Sequence, residues 1–168
     1  ETFEQSYDNL LIATGASAIQ PPFDGMDLDD IYTLHSLPDG KEIRETIETT
    51  GASAPETVGI VGGGYVGIEM AEAFRAHDLD VHLFEMLAHV LQPFSEMVGS
   101  AVEDELRENG VSLHLETRVE GFDGDESVSA VRTEDETVPV DMVLVAVGVS
   151  PNVELAADAG IELGDTGA

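Results

Sequence analysis

Three glycines and one acid carry the chemistry legible in this chain. Gly62, Gly64 and Gly67 fall at G-x-G-x-x-G spacing inside TVGIVGGGYVGIEMAEAFRAHDLDVHLFE, and Glu85 follows 18 residues after Gly67. That spacing suits the diphosphate of a dinucleotide. Gly62 permits a tight turn out of a strand, Gly64 lets a phosphate approach bare backbone, and Gly67 lets helix and strand pack closely. The helix start around Tyr65 and Val66 offers unpaired N–H groups and partial positive charge, with Gly63 completing the loop. Glu85, at the tip of the next strand, would accept hydrogen bonds from the adenosine ribose hydroxyls.

The elements that must position these residues follow from periodicity. Val58, Ile60 and Val61 form a short β-branched run suited to a strand buried on both faces. A helix follows with Ile68, Ala71 and Phe74 inward, then a second strand at Val81–Phe84. Upstream, Leu10–Ala13 and Ile31–Leu34 read as short strands, and Asp39 as the cap of a helix over Gly40–Thr50 that Gly51 ends. Residues Ala52–Glu56 link to the glycine-bearing strand. Downstream, Ser95 caps a helix over Glu96–Asn109, with Val98, Val102 and Leu106 inward and Met97 and Ala101 broadening the stripe. A strand at Val111–Glu116 precedes three short segments, Val119–Asp123, Ser127–Thr133 and Thr137–Val140. Acidic turns separate them, so an antiparallel meander stands where a crossover helix would be. Met142–Val147 is a further apolar strand, GVSPN ends it, and Asn152–Gly160 forms a short helix before a frayed tail. The fold class is α/β, a Rossmann-like domain with a parallel sheet and a three-stranded antiparallel meander.

Composition narrows the partners. Six Lys and Arg against 35 Asp and Glu give a formal charge of −29, and Lys41 is the only lysine. Such a field repels nucleic acid and anionic membrane, so neither is an expected partner. Carboxylates spread over the whole chain, almost without lysine, fit a salt-rich cytoplasm where cations screen self-repulsion. No cysteine is present, so neither a disulfide nor a thiol catalyst is available. The five histidines show no metal-ligand spacing, and His82 and His114 fall in strand patterns where a hydrogen-bonded histidine is expected. No Walker loop or G-x-S-x-G occurs. No apolar stretch reaches spanning length and the start is not a signal peptide, so the expected localisation is cytoplasmic. The absent initiator methionine and the ending at Gly167-Ala168 read as an excised piece of a longer protein.

Three landmarks in this order, YDNLLIATG, GIVGGGYVGIEMAE and DMVLVAVGVSPN, resemble the FAD-dependent pyridine nucleotide–disulfide oxidoreductases, in their coenzyme A-disulfide reductase and NADH oxidase branch. The resemblance implies an NAD(H)-binding domain over residues 56–148. Residues 1–55 would be an FAD-domain remnant with a connecting helix, and 149–168 the start of the return to that domain. It implies that Tyr65 covers the flavin, against the plainer role of an aromatic packed on the sheet. By the same resemblance Glu69, one turn later, touches the nicotinamide carboxamide, against a solvated helix glutamate. Gly148 borders the ligand or is a simple turn glycine, and Thr14 and Gly15 are flavin contacts in the parent. The family's N-terminal GxGxxG, its later Gly-Asp motif and its redox cysteine are missing, so this chain alone should hold no FAD and carries no catalytic residue. An acid at 85, with no Arg or Lys in MLAHV after it, favours NAD(H) over NADP(H). The implied activity is hydride delivery from NADH to FAD. A free-standing, non-catalytic dinucleotide-binding or redox-sensing module is the alternative. The expected partners are the missing FAD and dimerisation domains, or a second copy meeting the apolar flanks at Leu10–Ile12 and Val153–Leu155.

Overall fold

The computed structural model describes residues 3–51 and 54–164. Positions 52 and 53 of the expected linker and 165–168 of the tail lie outside them. The chain forms two compact units, one of Glu1–Ser17 with Val149–Ala168 and one of Ala18–Gly148.

The larger unit is built on a parallel sheet of β2 (Ile31–Thr33), β9 (Met142–Val145), β3 (Thr57–Val61), β4 (Asp80–Phe84) and β5 (Val111–His114), in that order. Strands in such a sheet are covered on both faces, and their side chains alternate between two apolar layers. Val58, Ile60, Val81, Leu83, Met142 and Leu144 join the cluster under α1 (Leu37–Ile47), α2 (Tyr65–Ala76) and α3 (Glu96–Glu108). Val61, Phe84, Val143 and Val145 face the antiparallel sheet of β6 (Val119–Gly124), β7 (Val128–Thr133) and β8 (Thr137–Pro139). The meander therefore covers the face that a crossover helix would otherwise cover. Gly59 makes that approach possible: a Cβ there would stand 2.9 Å from Val131 Cγ2.

Several local expectations are corrected. The helix expected at Gly40–Thr50 is α1, beginning three residues earlier with Ser36 as its N-cap. Asp39 instead sits inside the first turn, where its carboxylate accepts the backbone N–H groups of His35 and Ser36 at 2.9 and 2.8 Å. These bonds hold its carboxyl below the usual carboxylate range. On α3, Met97 is 83% exposed, and the inward positions are Gly99, Val102, Glu103 and Leu106. β2, which lies in the stretch before residue 56, is hydrogen-bonded to β9 within the same sheet.

In the smaller unit Leu10–Ala13 is not a strand; β1 (Ala16–Ala18) is, and it lies beside β10 (Val149–Pro151). Asn152 ties the two segments together. Its backbone N–H donates to Gly15 O at 2.9 Å, its side-chain N–H to Thr14 O at 3.0 Å, and its Oδ1 accepts Ser17 Oγ at 2.8 Å. Two distant sequence landmarks, ATG and SPN, thus meet through one asparagine. The helix expected at Asn152–Gly160 is the shorter α4 (Glu154–Asp158).

His82 and His114, on neighbouring strands, share a hydrogen bond of 3.0 Å, and His114 Nδ1 lies 3.1 Å from Glu136 Oε1. Burial, and secondarily the adjacent His114, hold His82 below its ordinary value, against smaller opposing pulls from Asp80 and Glu136. The folded state thus prefers neutral His82, so its contribution is complete above the unfolded value of about 6.5 and is lost as pH falls below it. Melting curves should show wild type losing stability relative to His82→Gln between pH 7.5 and 5; parallel curves would contradict the assignment.

Candidate functional site

The five strands run parallel, so the chain leaves β3, β9 and β4 at one edge of the sheet. β4 lies on one side of β3 and β9 on the other. Chains departing in opposite directions from adjacent strands leave a crevice at their carboxyl ends, the position where open α/β sheets take ligands. The glycine loop lies there.

Each glycine meets a different neighbour. Gly62 has φ +111°, and a Cβ on it would stand 2.5 Å from Ala146 O at the end of β9. Gly67, buried in the first turn of α2, would drive a Cβ into the carbonyl of Gly62. A Cβ at Gly63 would meet Val90 Cγ1 at 2.9 Å and Glu85 Oε2 at 3.1 Å. Gly64 alone opens onto empty space, with nothing within 4 Å. It is the N-cap of α2 and has no side chain to satisfy the helix's first N–H groups. Three positions are closed by the protein itself. One is open, at the positive end of a helix dipole, where an anion finds donors.

Glu85 follows the last residue of β4, as expected of the acid at the strand tip. It is 8% exposed, and its carboxylate is already engaged: Oε2 accepts Gly63 N–H at 2.8 Å and Oε1 accepts Leu87 N–H at 2.9 Å. A carboxylate offers about four acceptor sites, so each oxygen keeps a lone pair. Glu85 therefore braces the glycine loop from below and retains acceptor capacity toward a hydroxyl.

Tyr65 is 59% exposed and makes an edge-to-face pair with Phe94, ring centroids 6.0 Å apart. It is thus not an aromatic buried on the sheet. Val66 is 42% exposed beside it, and Glu69, one turn on, is exposed as well. Gly148, beyond the end of β9, has φ +113° and its carbonyl accepts Ile19 N–H at 3.0 Å. A Cβ there would meet only Ile19 Cδ1 at an ordinary 3.7 Å, so its φ, not crowding, asks for glycine. Thr14 and Gly15 lie in the smaller unit, where the Thr14 hydroxyl donates to Asn152 O and Gly15 has φ +74°. Sequence reasoning missed Asn152, and it missed the second set of small-residue contacts at Gly59 and Gly99. A groove of about 620 Å³ between α2 and α3, lined by Ile68, Val102 and Leu106, contains none of the loop glycines and not Glu85.

With this geometry in view, comparison with known proteins decides the family. Residues 1–168 match the pyridine nucleotide-disulphide oxidoreductases. The chain belongs to this family. It is 38% identical over 163 residues to an NADH oxidase of Methanocaldococcus jannaschii, covering 96% of this chain and 36% of that protein. It is also 38% identical over 168 residues to an NAD(P)H sulfur oxidoreductase (CoA-dependent) of Pyrococcus abyssi, covering 98% and 37%. Among solved structures, an NAD-dependent persulfide reductase from A. fulgidus superposes with a TM-score of 0.88 at 36% identity, covering 98% of this chain and 30% of that one. The chain therefore spans about a third of the length of the relatives it matches.

The loop's crowding separates two substitutions. Gly67→Ala should lower stability by about 3 kcal/mol, the upper range for overpacking against backbone that cannot yield. Gly64→Ala should cost under about 1 kcal/mol, because its φ of −82° suits alanine and the space is open. Urea unfolding of both variants measures the difference; equal losses would contradict the packing described.

Proposed function

We propose that this chain is the NAD(H)-binding portion of a flavin-dependent oxidoreductase, of the NADH oxidase or coenzyme A-disulfide reductase type. It would present the nicotinamide of NADH for hydride delivery to FAD in the longer protein. The observation that carries the reading is the contrast around the glycine loop. Gly62, Gly63 and Gly67 are filled against the protein's own atoms, while Gly64 is open at the N-terminus of α2. An anion placed there meets backbone donors and the helix dipole, a locally favourable spot on a chain whose formal charge is −29.

The bound coenzyme supplies a transferable hydride; this chain supplies grip and orientation. The N–H groups at the start of α2 hold the diphosphate, and the free lone pairs of Glu85 accept from the adenosine ribose. Tyr65 and Glu69, one turn apart, share an exposed side at the start of α2, where they would meet the nicotinamide end, and Gly148 borders the crevice from β9. Of the flavin's own surroundings the chain offers Thr14 and Gly15. Exposed Leu10, Leu11 and Leu155 would be covered by the rest of the protein or by a second copy.

Coenzyme preference follows from charge. An ionised Glu85 beside the ribose repels a 2′-phosphate, and residues 86–94 contain no Arg or Lys to attract one. The A. fulgidus relative is described as NAD-dependent and the P. abyssi one as using NAD(P)H. For this chain we infer NADH. The acid-saturated composition supports a salt-rich cytoplasm as its setting, and no helix among the described residues is long and apolar enough to cross a membrane.

Titration of the chain with both nucleotides in concentrated KCl tests the assignment. NADH should bind at least about tenfold more tightly than NADPH, about 1.4 kcal/mol. Gly64→Ala should weaken NADH by at least about tenfold while melting close to wild type. Equal affinity for the two nucleotides would remove the preference, and undiminished binding by Gly64→Ala would remove the site.

A further inference from the structure

The segment between β4 and α3 is irregular, yet Val90 within it is fully buried. Its backbone N–H needs a partner, because an unpaired donor inside a protein is costly. The partner is Glu103 of α3, whose Oε1 accepts the bond at 3.2 Å. Glu103 is itself only 7% exposed, and its Oε2 lies 3.4 Å from Arg107 Nη2 one turn along. Gly99, a turn earlier, lets the helix come this close: a Cβ there would stand 2.9 Å from Val90 O.

The same two loop residues touch the glycine loop from the other side. Leu91 N–H donates to Gly63 O at 2.9 Å, and Val90 Cγ1 occupies the space that a side chain at 63 would need. Gly63 is thus held from two directions, at its N–H by Glu85 and at its carbonyl by Leu91. The second hold depends on a carboxylate 40 residues away in the sequence, outside any fingerprint. A buried carboxylate is an unfavourable core residue unless its bonds specify an arrangement, and a leucine would fill the volume without that cost.

We propose that Glu103 is a positioning residue of the dinucleotide corner: by fixing Val90 and Leu91 it sets the carbonyl of Gly63 and with it the direction of the backbone donors at Gly64 and the start of α2. The role rests on the reading of that corner as the NAD(H) site. Glu103 touches no coenzyme atom; it acts through the loop.

The test compares Glu103→Leu with Glu103→Gln in the same chain, with Glu103→Met as a second apolar variant should the leucine protein not fold. Glutamine keeps an oxygen able to accept Val90 N–H; leucine and methionine do not. Amide exchange without nucleotide should be at least about tenfold faster at Val90 and Leu91 in the apolar variants, the mark of a locally released loop. NADH should bind them roughly fivefold more weakly, the size of one lost hydrogen bond. Glu103→Gln should restore both to within about twofold of wild type. Unchanged exchange and affinity, with only the melting temperature altered, would overturn the positioning role. If exchange accelerates as expected while the unsubstituted chain binds no NADH, the fixation of the loop stands and the reading of the ligand falls.

Discussion

The corner between β3 and α2 exists because three positions carry no side chain and one buried carboxylate holds what remains. The carbonyl of Gly62 occupies the place of a Cβ at 67, so strand and helix approach at backbone distance. Gly62 in turn lies against Ala146 at the end of β9, which joins the loop to the strand on its other side. Glu85 then accepts Gly63 N–H, a charge-assisted bond stronger than a neutral one.

Two of the chain's few cations, Arg75 and Arg132, join elements. Arg75 donates to Leu79 O and to Asn109 O, linking the end of α2 to the end of α3, and lies 3.3 Å from Asp80. Arg132 reaches Asp123 at 2.6 Å and Asp24 at 3.5 Å, tying the meander to the segment before β2. Arg44 and Lys41 make i,i+4 pairs on exposed α1, which contribute little in water and less in salt. With 35 acids against six bases, most carboxylates can only face solvent, and the structure reserves its internal carboxylates for backbone donors. Glu85 and Glu103 both serve in that way.

A doubly covered sheet also explains why one face could accept a meander in place of a helix. The requirement on that face is an apolar surface of matching shape, and Val131, Val138 and Val140 meet it against Val143 and Val145. Gly59 supplies the shape by removing a side chain beneath Val131.

Local patterning determined a good part of this protein. The β-branched runs, the glycine spacing, the glycine after α3 and the acidic turns of the meander are short-range signals, and the elements they mark formed where expected. The apolar run at Leu10–Ala13 reads as a strand but is not one, because pairing is decided by a neighbour that the local sequence does not contain. Met97 shows the same limit, since a helix stripe gives a direction only after the helix has docked. Only the tertiary structure decided that Glu85 is braced inside the loop, that Asn152 joins ATG to SPN, and that Glu103 reaches Val90. Each is a hydrogen bond between residues far apart in the chain. Residue type alone says that a carboxylate or an amide can accept or donate, and the fold alone chooses the partner.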